Sequence, residues 1–308
     1  MNSNESKPLV TVIVPTIGRP EYILHTIQST LNQTYLNIQI LISDNAPSIK
    51  TSSILDGAGI IDKRIDIVIR PKRMNFCEHM NACILDARGK YVMILSDDDQ
   101  ISYGYVEEMV AIMEAGNDVS VCVGRQLVIK ENVKGLIPSQ LSISPQLVIS
   151  GSKFINDFLS GSPPKEIFTY LSIFAQKKDL VEAGGLRNYP FGAHSDNYLV
   201  IKLAMKGNIA FSKNLMFYRI YLGSVGLSMP FAVLLEATKK YSSDCHRLIN
   251  EMSSLSIKEK VRLIQLMRLS SIRLLIYRLR HVYAHRISTL NMLTNLIKIG
   301  IYWAIPSR

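Results

Sequence analysis

The stretch "YVMILSDDDQ", residues 91–100, decides the fold, because an apolar run ends abruptly in three aspartates, Asp97, Asp98 and Asp99. An apolar run of this length predicts a buried strand. Adjacent ionised carboxylates repel each other by roughly 2–3 kcal/mol per pair at about 6 Å and an effective dielectric of about 20. We therefore expect a counter-charge at the end of this strand. On extended backbone, Asp97 and Asp99 are expected to face one side and Asp98 the other.

Strand-like and helix-like stretches alternate on both sides of this run. Short apolar runs predict strands at residues 9–16, 38–45, 64–70, 91–96 and 118–129. Helical spacing predicts helices at residues 19–33, with Pro20 in the first turn, at 75–89, closed by Gly89, and at 102–116. Further elements are predicted near residues 168–175, 195–206 and 208–220. This alternation predicts an α/β fold with a mostly parallel, Rossmann-type sheet flanked by helices.

Polar residues follow three of the predicted strands where each strand ends. Thr16 ends the first strand, Asp44 the second, and Asp97 begins the acidic triplet after the fourth. Ligands of such sheets bind at the carboxyl ends of the strands. Mg²⁺ and Mn²⁺ are commonly held by one or two carboxylates and by substrate phosphates, which favours a site for a metal and a diphosphate. The alternative is a solvated acidic turn in which Asp99 caps the next helix.

The segments "VTVIVPTIGRPEYILHTIQSTLNQTYLNIQILISDN" and "ARGKYVMILSDDDQIS" resemble the N-terminal half of the family 2 glycosyltransferases of the bacterial surface-polysaccharide type. The resemblance covers about residues 8–130 and returns more weakly at 181–207. It implies a GT-A fold in which residues 1–230 form the catalytic domain. Residues 8–130 would be its nucleotide-binding half and residues 131–230 its acceptor half.

The resemblance also implies roles for individual residues. The acidic cluster matches the DxD motif, so Asp99 would bind Mn²⁺ or Mg²⁺, and Asp97 would bind the same metal or the ribose. Asp44 would accept a hydrogen bond from the pyrimidine N3–H of a UDP- or dTDP-sugar; its alternative role is to stabilise a turn. The remaining residues assigned to donor binding are Pro15, Thr16, Arg73, Asn75 and Asp98, and Arg70 is a further candidate.

Asp196, in "GAHSDNYLVIKLAMKG", is the candidate general base. The family resemblance implies that an aspartate here takes the proton of the acceptor hydroxyl. The alternative role is that of a helix N-cap. His194 is a weaker candidate for the same task.

The C-terminal segment, residues 231–308, carries 13 Lys and Arg against 4 Asp and Glu, so it holds +9 of the net charge of +10. Its pattern predicts a basic amphipathic helical tail that binds an anionic membrane surface through residues 290–305, which end near Tyr302 and Trp303. The alternatives are a helical lid on the catalytic domain and a dimerisation surface, hence a possible homodimer. The interleaved Leu and Ile residues argue against nucleic acid as the partner.

The expected function is therefore a metal-dependent, inverting transfer of one sugar to a hydroxyl of a glycan acceptor, such as a polyprenyl-diphosphate-linked oligosaccharide in O-antigen or capsule assembly. The N-terminus lacks a secretion signal and the four cysteines form no CxxC pair, so we expect a cytoplasmic protein, peripheral at the inner face of the plasma membrane. The alternatives are an inactive nucleotide- or glycan-binding scaffold at the membrane and a sugar nucleotidyltransferase.

Overall fold

The computed structural model describes residues 7–45, 50–130, 147–162, 173–220 and 229–279, and also residues 294, 295, 297, 299 and 300. The strands are β1 Val10–Thr16, β2 Ile38–Asp44, β3 Ile65–Ile69, β4 Tyr91–Ile94, β5 Gln100–Ile101, β6 Val119–Lys130, β7 Leu147–Ile149, β8 Ile173–Gln176 and β9 Asn208–Ile220. The helices are α1 Pro20–Leu31, α2 Thr51–Gly57, α3 Phe76–Asp86, α4 Tyr105–Glu114, α5 Gly151–Leu159, α6 Lys177–Glu182, α7 Ser195–Ala204, α8 Phe231–Glu251 and α9 Ile257–Arg278, with a short 3-10 helix at Pro190–Gly192.

All nine strands belong to one mixed sheet, in the order β3-β2-β1-β4-β8-β6-β9-β5, with β7 paired to β9. The pairs among β3, β2, β1 and β4 are parallel, as is β6 with β9. Strand β8 is antiparallel to both β4 and β6. The predicted α/β fold with a mostly parallel sheet and flanking helices is confirmed.

Two apolar layers cover the two faces of the sheet, and the alternation of side chains along the strands produces both. In β1, Val10, Val12 and Val14 face the layer formed with α1, α2 and α4, whereas Ile13 faces the layer formed with α3 and the later helices. The parallel register aligns Thr16 with Asp44, so the ends of β1 and β2 lie side by side. The fold thereby gathers the polar strand ends at one edge.

Helices α8 and α9, which belong to the basic tail, pack on this second layer. Tyr241, Cys245 and Ile249 of α8 and Leu263 and Met267 of α9 are buried with the side chains of α3, α5 and α7. The two helices are separate because Ser256 and Glu259 form a capping box at the start of α9. The predicted membrane-binding segment, with Tyr302 and Trp303, lies outside the described residues. Within the described part of the chain, no helix has the length and apolarity to cross a bilayer.

Gly89 does not end helix α3, which already stops at Asp86. A Cβ at Gly89 would lie 2.5 Å from the backbone nitrogen of Thr11 and 2.6 Å from the carbonyl oxygen of Tyr91. The glycine is needed because β4 enters the sheet in close contact with the backbone of β1.

We expect Gly89→Ala to lower the free energy of unfolding by about 2 kcal/mol or more, because the clash is with backbone that has no rotamer to change. Gly57→Ala is the matched control, since nothing lies within 4 Å of a Cβ at Gly57. Urea unfolding of both variants measures the difference. Equal stability of the two would contradict the close approach at Gly89.

Candidate active site

The acidic triplet lies in a tight turn after β4, not on extended backbone. The Asp99 amide donates to the carbonyl oxygen of Ser96 at 3.1 Å. Asp97 and Asp98 both contact Arg19, while Asp99 contacts β9. The extended backbone on which Asp97 and Asp99 were expected to face one side is replaced by this turn, and the two carboxylates have different partners.

The counter-charge expected at this turn comes from Arg19, between β1 and α1. Its guanidinium forms an ion pair with Asp97 and donates from Nη1 to Asp98 Oδ2 at 2.9 Å. Thr16 Oγ1 donates to Asp97 Oδ2 at 2.5 Å. Arg19 was not among the predicted site residues, although a lone basic residue just after the end of β1 is a signal that could have indicated it.

Asp99 is the most buried carboxylate of the three, with no exposed surface. Its Oδ1 accepts from the Arg219 amide at 2.9 Å, and its Oδ2 is buried without a hydrogen-bond partner among the described residues. Burial, and then the charge of Asp98, raises the pKa of the Asp99 carboxyl well above its usual range. Arg219 also donates from Nε to the Asp98 carbonyl at 3.1 Å and lies over the Tyr22 ring, 4.9 Å from its centroid.

The arrangement fits one protein ligand of a divalent cation better than two. The unpaired Oδ2 of Asp99 is a carboxylate oxygen of the kind that Mg²⁺ and Mn²⁺ prefer. The Asp97 carboxylate, by contrast, already accepts from Thr16 and Arg19. Within the described ranges, no three His, Cys, Asp or Glu side chains converge as a complete metal site. A metal here would therefore depend on phosphate oxygens and water for most of its coordination.

Asp44 lies beside Thr16 and is fully buried. Its Oδ1 accepts from Thr51 Oγ1 at 2.5 Å and its Oδ2 from the Thr51 amide at 3.0 Å, at the first residue of α2. The Asp44 carboxylate thus anchors the start of α2, a role close to the turn-stabilising alternative. To contact a nucleobase, Asp44 would have to accept a further hydrogen bond beside those from Thr51. Pro15 precedes Thr16 at the same strand end.

The residues after β3 have mainly structural contacts. Asn75 caps α3, since its Oδ1 accepts from the Glu78 amide at 3.0 Å. Arg70 forms an ion pair with Asp86 at 2.6 Å and donates to Ser43 Oγ at 3.1 Å. Arg73 is exposed on the loop before Asn75. Arg73 and Asn75 are both exposed, and Asn75 is already engaged as the cap of α3.

Asp196 lies half-buried in the first turn of α7, next to an apolar cavity. The N-cap of α7 is His194, so Asp196 does not hold the alternative position predicted for it. Burial raises the pKa of the Asp196 carboxyl well above its usual range. A carboxylate in such surroundings is a stronger base than one in water. The cavity is lined by Asp196 together with Phe76, Val92, Ile94, Ile173, Leu180, Leu186 and Leu199.

The pKa of Tyr218, in β9, is affected by carboxylates of the acidic turn and by Asp196. Burial raises its pKa, and the charges of Asp99, Asp98 and Asp196 raise it further. All three carboxylates therefore lie within electrostatic reach of one phenol. Ile94, at the end of β4, also lines the cavity next to Asp196. The cavity next to Asp196 therefore extends to the end of β4, the strand that precedes the acidic turn.

The family model described as Glycosyl transferase family 2 matches residues 11–173, which include the acidic turn, β1, β2 and β4. The chain belongs to glycosyl transferase family 2. Asp196 and Tyr218 lie beyond the matched residues, so the family match includes the acidic turn but neither of these two residues.

Three known proteins resemble different shares of the chain. An uncharacterized glycosyltransferase of Haemophilus influenzae is 30% identical over 44% of this chain, and the match spans 42% of that protein. The Escherichia coli UDP-Glc:alpha-D-GlcNAc-diphosphoundecaprenol beta-1,3-glucosyltransferase WfaP is 26% identical over 70% of this chain and 79% of its own length. The crystal structure of Staphylococcus aureus TarS 1-349 in complex with UDP-GlcNAc has a TM-score of 0.64 at 12% identity and covers 94% of this chain and 81% of that one. This last likeness concerns the fold.

Replacing Arg19 by Ala should destabilise the protein by about 3 kcal/mol, because two carboxylates at the turn lose their counter-charge while Asp97 stays buried. Arg88→Ala is the control, since Arg88 is 64% exposed and pairs with Asp66 at the surface. Such surface pairs contribute about 0–1 kcal/mol. Chemical denaturation compares the two. A loss at Arg19 no larger than at Arg88 would show that the ion pair does not stabilise the turn.

Proposed function

We propose that this protein is a metal-dependent, inverting glycosyltransferase that moves one sugar from a UDP- or dTDP-sugar to a hydroxyl of a glycan acceptor. The observation that carries the proposal is the buried Oδ2 of Asp99 at the carboxyl edge of the sheet, which has no hydrogen-bond partner in the described part of the chain. A buried carboxylate oxygen without a partner is costly unless a ligand completes it. Family membership makes a nucleotide-sugar and its metal the matching ligand.

The reaction is a single displacement at the anomeric carbon of the donor. The acceptor hydroxyl oxygen forms the new bond to this carbon, while the bond to the diphosphate oxygen breaks and the nucleoside diphosphate leaves with the electron pair. Asp196 takes the hydroxyl proton, which its raised pKa favours. Mn²⁺ or Mg²⁺, held by Asp99, would stabilise charge on the leaving diphosphate. Attack from the opposite face inverts the anomeric configuration.

The donor side of the site would consist of Pro15, Thr16, Asp44, Arg73, Asn75, Asp97 and Asp98. In this arrangement Asp99 would bind the metal, and Asp97, which pairs with Arg19, would contact the ribose or the metal shell. The UDP-GlcNAc complex of TarS supports a uridine donor, and dTDP offers the same N3–H donor to Asp44. The similarity to WfaP, named as a glucosyltransferase for alpha-D-GlcNAc-diphosphoundecaprenol, supports a lipid-linked acceptor in surface-polysaccharide synthesis.

Purified protein should transfer sugar from one class of UDP- or dTDP-sugar only with Mn²⁺ or Mg²⁺, as followed by release of nucleoside diphosphate. We expect Asp99→Asn to lose the metal-dependent thermal shift with the nucleotide. Asp196→Asn should keep that shift and lose about 10²–10⁴-fold in kcat.

The pH dependence of kcat is a separate test of the base. Because the base must be ionised, wild-type kcat should rise with pH through the raised pKa of Asp196, and this rise should vanish in Asp196→Asn.

Asp56→Asn, on the exposed face of α2, is the control and should resemble the wild type. Transfer that persists in EDTA would contradict the metal requirement. Tight binding of UDP without turnover would support the scaffold alternative. Formation of a nucleotide-sugar from a nucleoside triphosphate and a sugar 1-phosphate would support a nucleotidyltransferase.

The basic tail carries a second proposal, contact with the anionic inner face of the plasma membrane. The outer side of α9 exposes Val261 and Leu269, each 50% exposed, beside Arg262 and Arg273. Apolar and cationic side chains on one helix face are typical of helices that bind anionic lipid surfaces. The homodimer stays a prediction.

Flotation with vesicles measures this contact. We expect binding to vesicles that contain phosphatidylglycerol, and about tenfold or greater loss of binding when Arg262 and Arg273 are both changed to Glu, since each basic residue contributes about 1 kcal/mol. Arg88→Glu, on the catalytic part, is the control. Equal binding to neutral and anionic vesicles, or none to either, would contradict the proposal.

A further inference from the structure

The segment Arg187–Asn197, which carries Asp196, has a strained backbone. Among the described residues, three non-glycine residues have left-handed backbone, and two lie here: Phe191, with φ 54°, and His194, with φ 66°. This conformation costs roughly 1–2 kcal/mol per residue. The segment holds it only if neighbouring contacts compensate.

Asp244 of α8 holds the beginning of the segment. Its Oδ2 accepts from Arg187 Nε at 2.6 Å and from the Tyr189 hydroxyl at 2.8 Å, and its Oδ1 accepts from Arg187 Nη2 at 3.0 Å. Asp244 is buried within the layer between α8 and the sheet. One carboxylate therefore binds two residues of the segment at once.

Thr238 and Tyr241 of the same helix hold the end of the segment. Thr238 Oγ1 donates its proton to the Leu234 carbonyl at 2.7 Å, so it accepts from His194 Nε2 at 3.0 Å. His194 Nδ1 then accepts from Asn197 Nδ2 at 3.2 Å, which requires neutral histidine. Burial, followed by the charge of Arg278, lowers the pKa of His194 to about 4, in agreement with this state. The His194 ring also stacks on Tyr241, with centroids 4.9 Å apart.

The two ends of the segment are joined to each other. Ser195 Oγ donates to the Arg187 carbonyl at 2.6 Å, and Cys77 Sγ donates to the same carbonyl at 3.2 Å. The loop is thus closed at its base, directly before Asp196. Asp196 makes a short contact within its own helix turn, from the Asn197 amide to Oδ1 at 2.6 Å.

We infer that α8, the first helix of the basic tail, fixes the segment Arg187–Asn197 and thereby positions Asp196, with Thr238 and Asp244 as positioning residues. The inference rests on the proposed function for its catalytic consequence, but the structural constraint can be measured without turnover. By this inference, the first helix of the tail has a structural role in the proposed active site that does not depend on membrane contact.

Hydrogen exchange and kinetics of the full-length protein test the inference. Thr238→Val removes the acceptor of His194 and keeps the shape of the side chain, so amides of residues 193–198 should exchange about tenfold faster. Asp244→Asn should have the same effect near Arg187 and Tyr189. In both variants kcat for transfer should fall about tenfold or more, while KM for the nucleotide-sugar stays within about twofold. Thr238→Ser keeps the hydroxyl and should restore both exchange and kcat.

Glu236→Gln is the control on the same helix, because Glu236 is exposed and pairs only with its neighbour Lys240 in the described contacts. Wild-type exchange in Thr238→Val and Asp244→Asn would overturn the inference, even if Asp196→Asn is inactive. Faster exchange with wild-type kcat would overturn the positioning of Asp196. Faster exchange together with full activity of Asp196→Asn would instead refute the base role and leave the constraint standing.

Discussion

Three carboxylates share the end of a buried strand because groups from three other segments meet them. Arg19 neutralises Asp97 and Asp98 from the β1–α1 junction, and Thr16 donates to Asp97 from the end of β1. The Arg219 amide reaches Asp99 from β9. The contacts of Arg19 and Thr16 depend on the parallel pairing of β1 with β4, and the contact of Arg219 depends on the antiparallel pairing of β9 with β5. The strand order of the sheet therefore brings together the groups that stabilise the acidic turn.

Two carboxyl groups along this edge have raised pKa values for different reasons. Asp99 is fully buried among other carboxylates, whose charges add to the effect of burial. Asp196 lies against an apolar cavity, so desolvation dominates. Groups whose surroundings differ in this way suit different tasks, one next to a cation and one next to a proton donor. The charges of both carboxylates raise the pKa of Tyr218.

Much of the first half of the fold was predictable because its signals are local. The apolar runs gave β1 to β4, and Pro20 marked the start of α1. What depends on distant contacts was missed: the turn at Asp97–Asp98, the ion pair with Arg19 and the two-residue strand β5. The assignment of Gly89 as a helix stop failed because its reason lies in the neighbouring strand β1. The contacts of α8 with the segment around His194 join residues more than 40 positions apart, beyond any periodic pattern.

The boundary at which the net charge changes along the chain does not coincide with a boundary of the apolar core. Net charge changes at residue 231, but the apolar layer continues across that point through Tyr241, Cys245 and Ile249 of α8. A shortened chain ending at residue 230 would expose the partners of these side chains on α3 and α7 to water. Insolubility of such a fragment would then result from the disrupted apolar core and would be no evidence that the removed tail binds a membrane. A boundary between recombinant modules, or a swap of tails between relatives, is better chosen beyond α9.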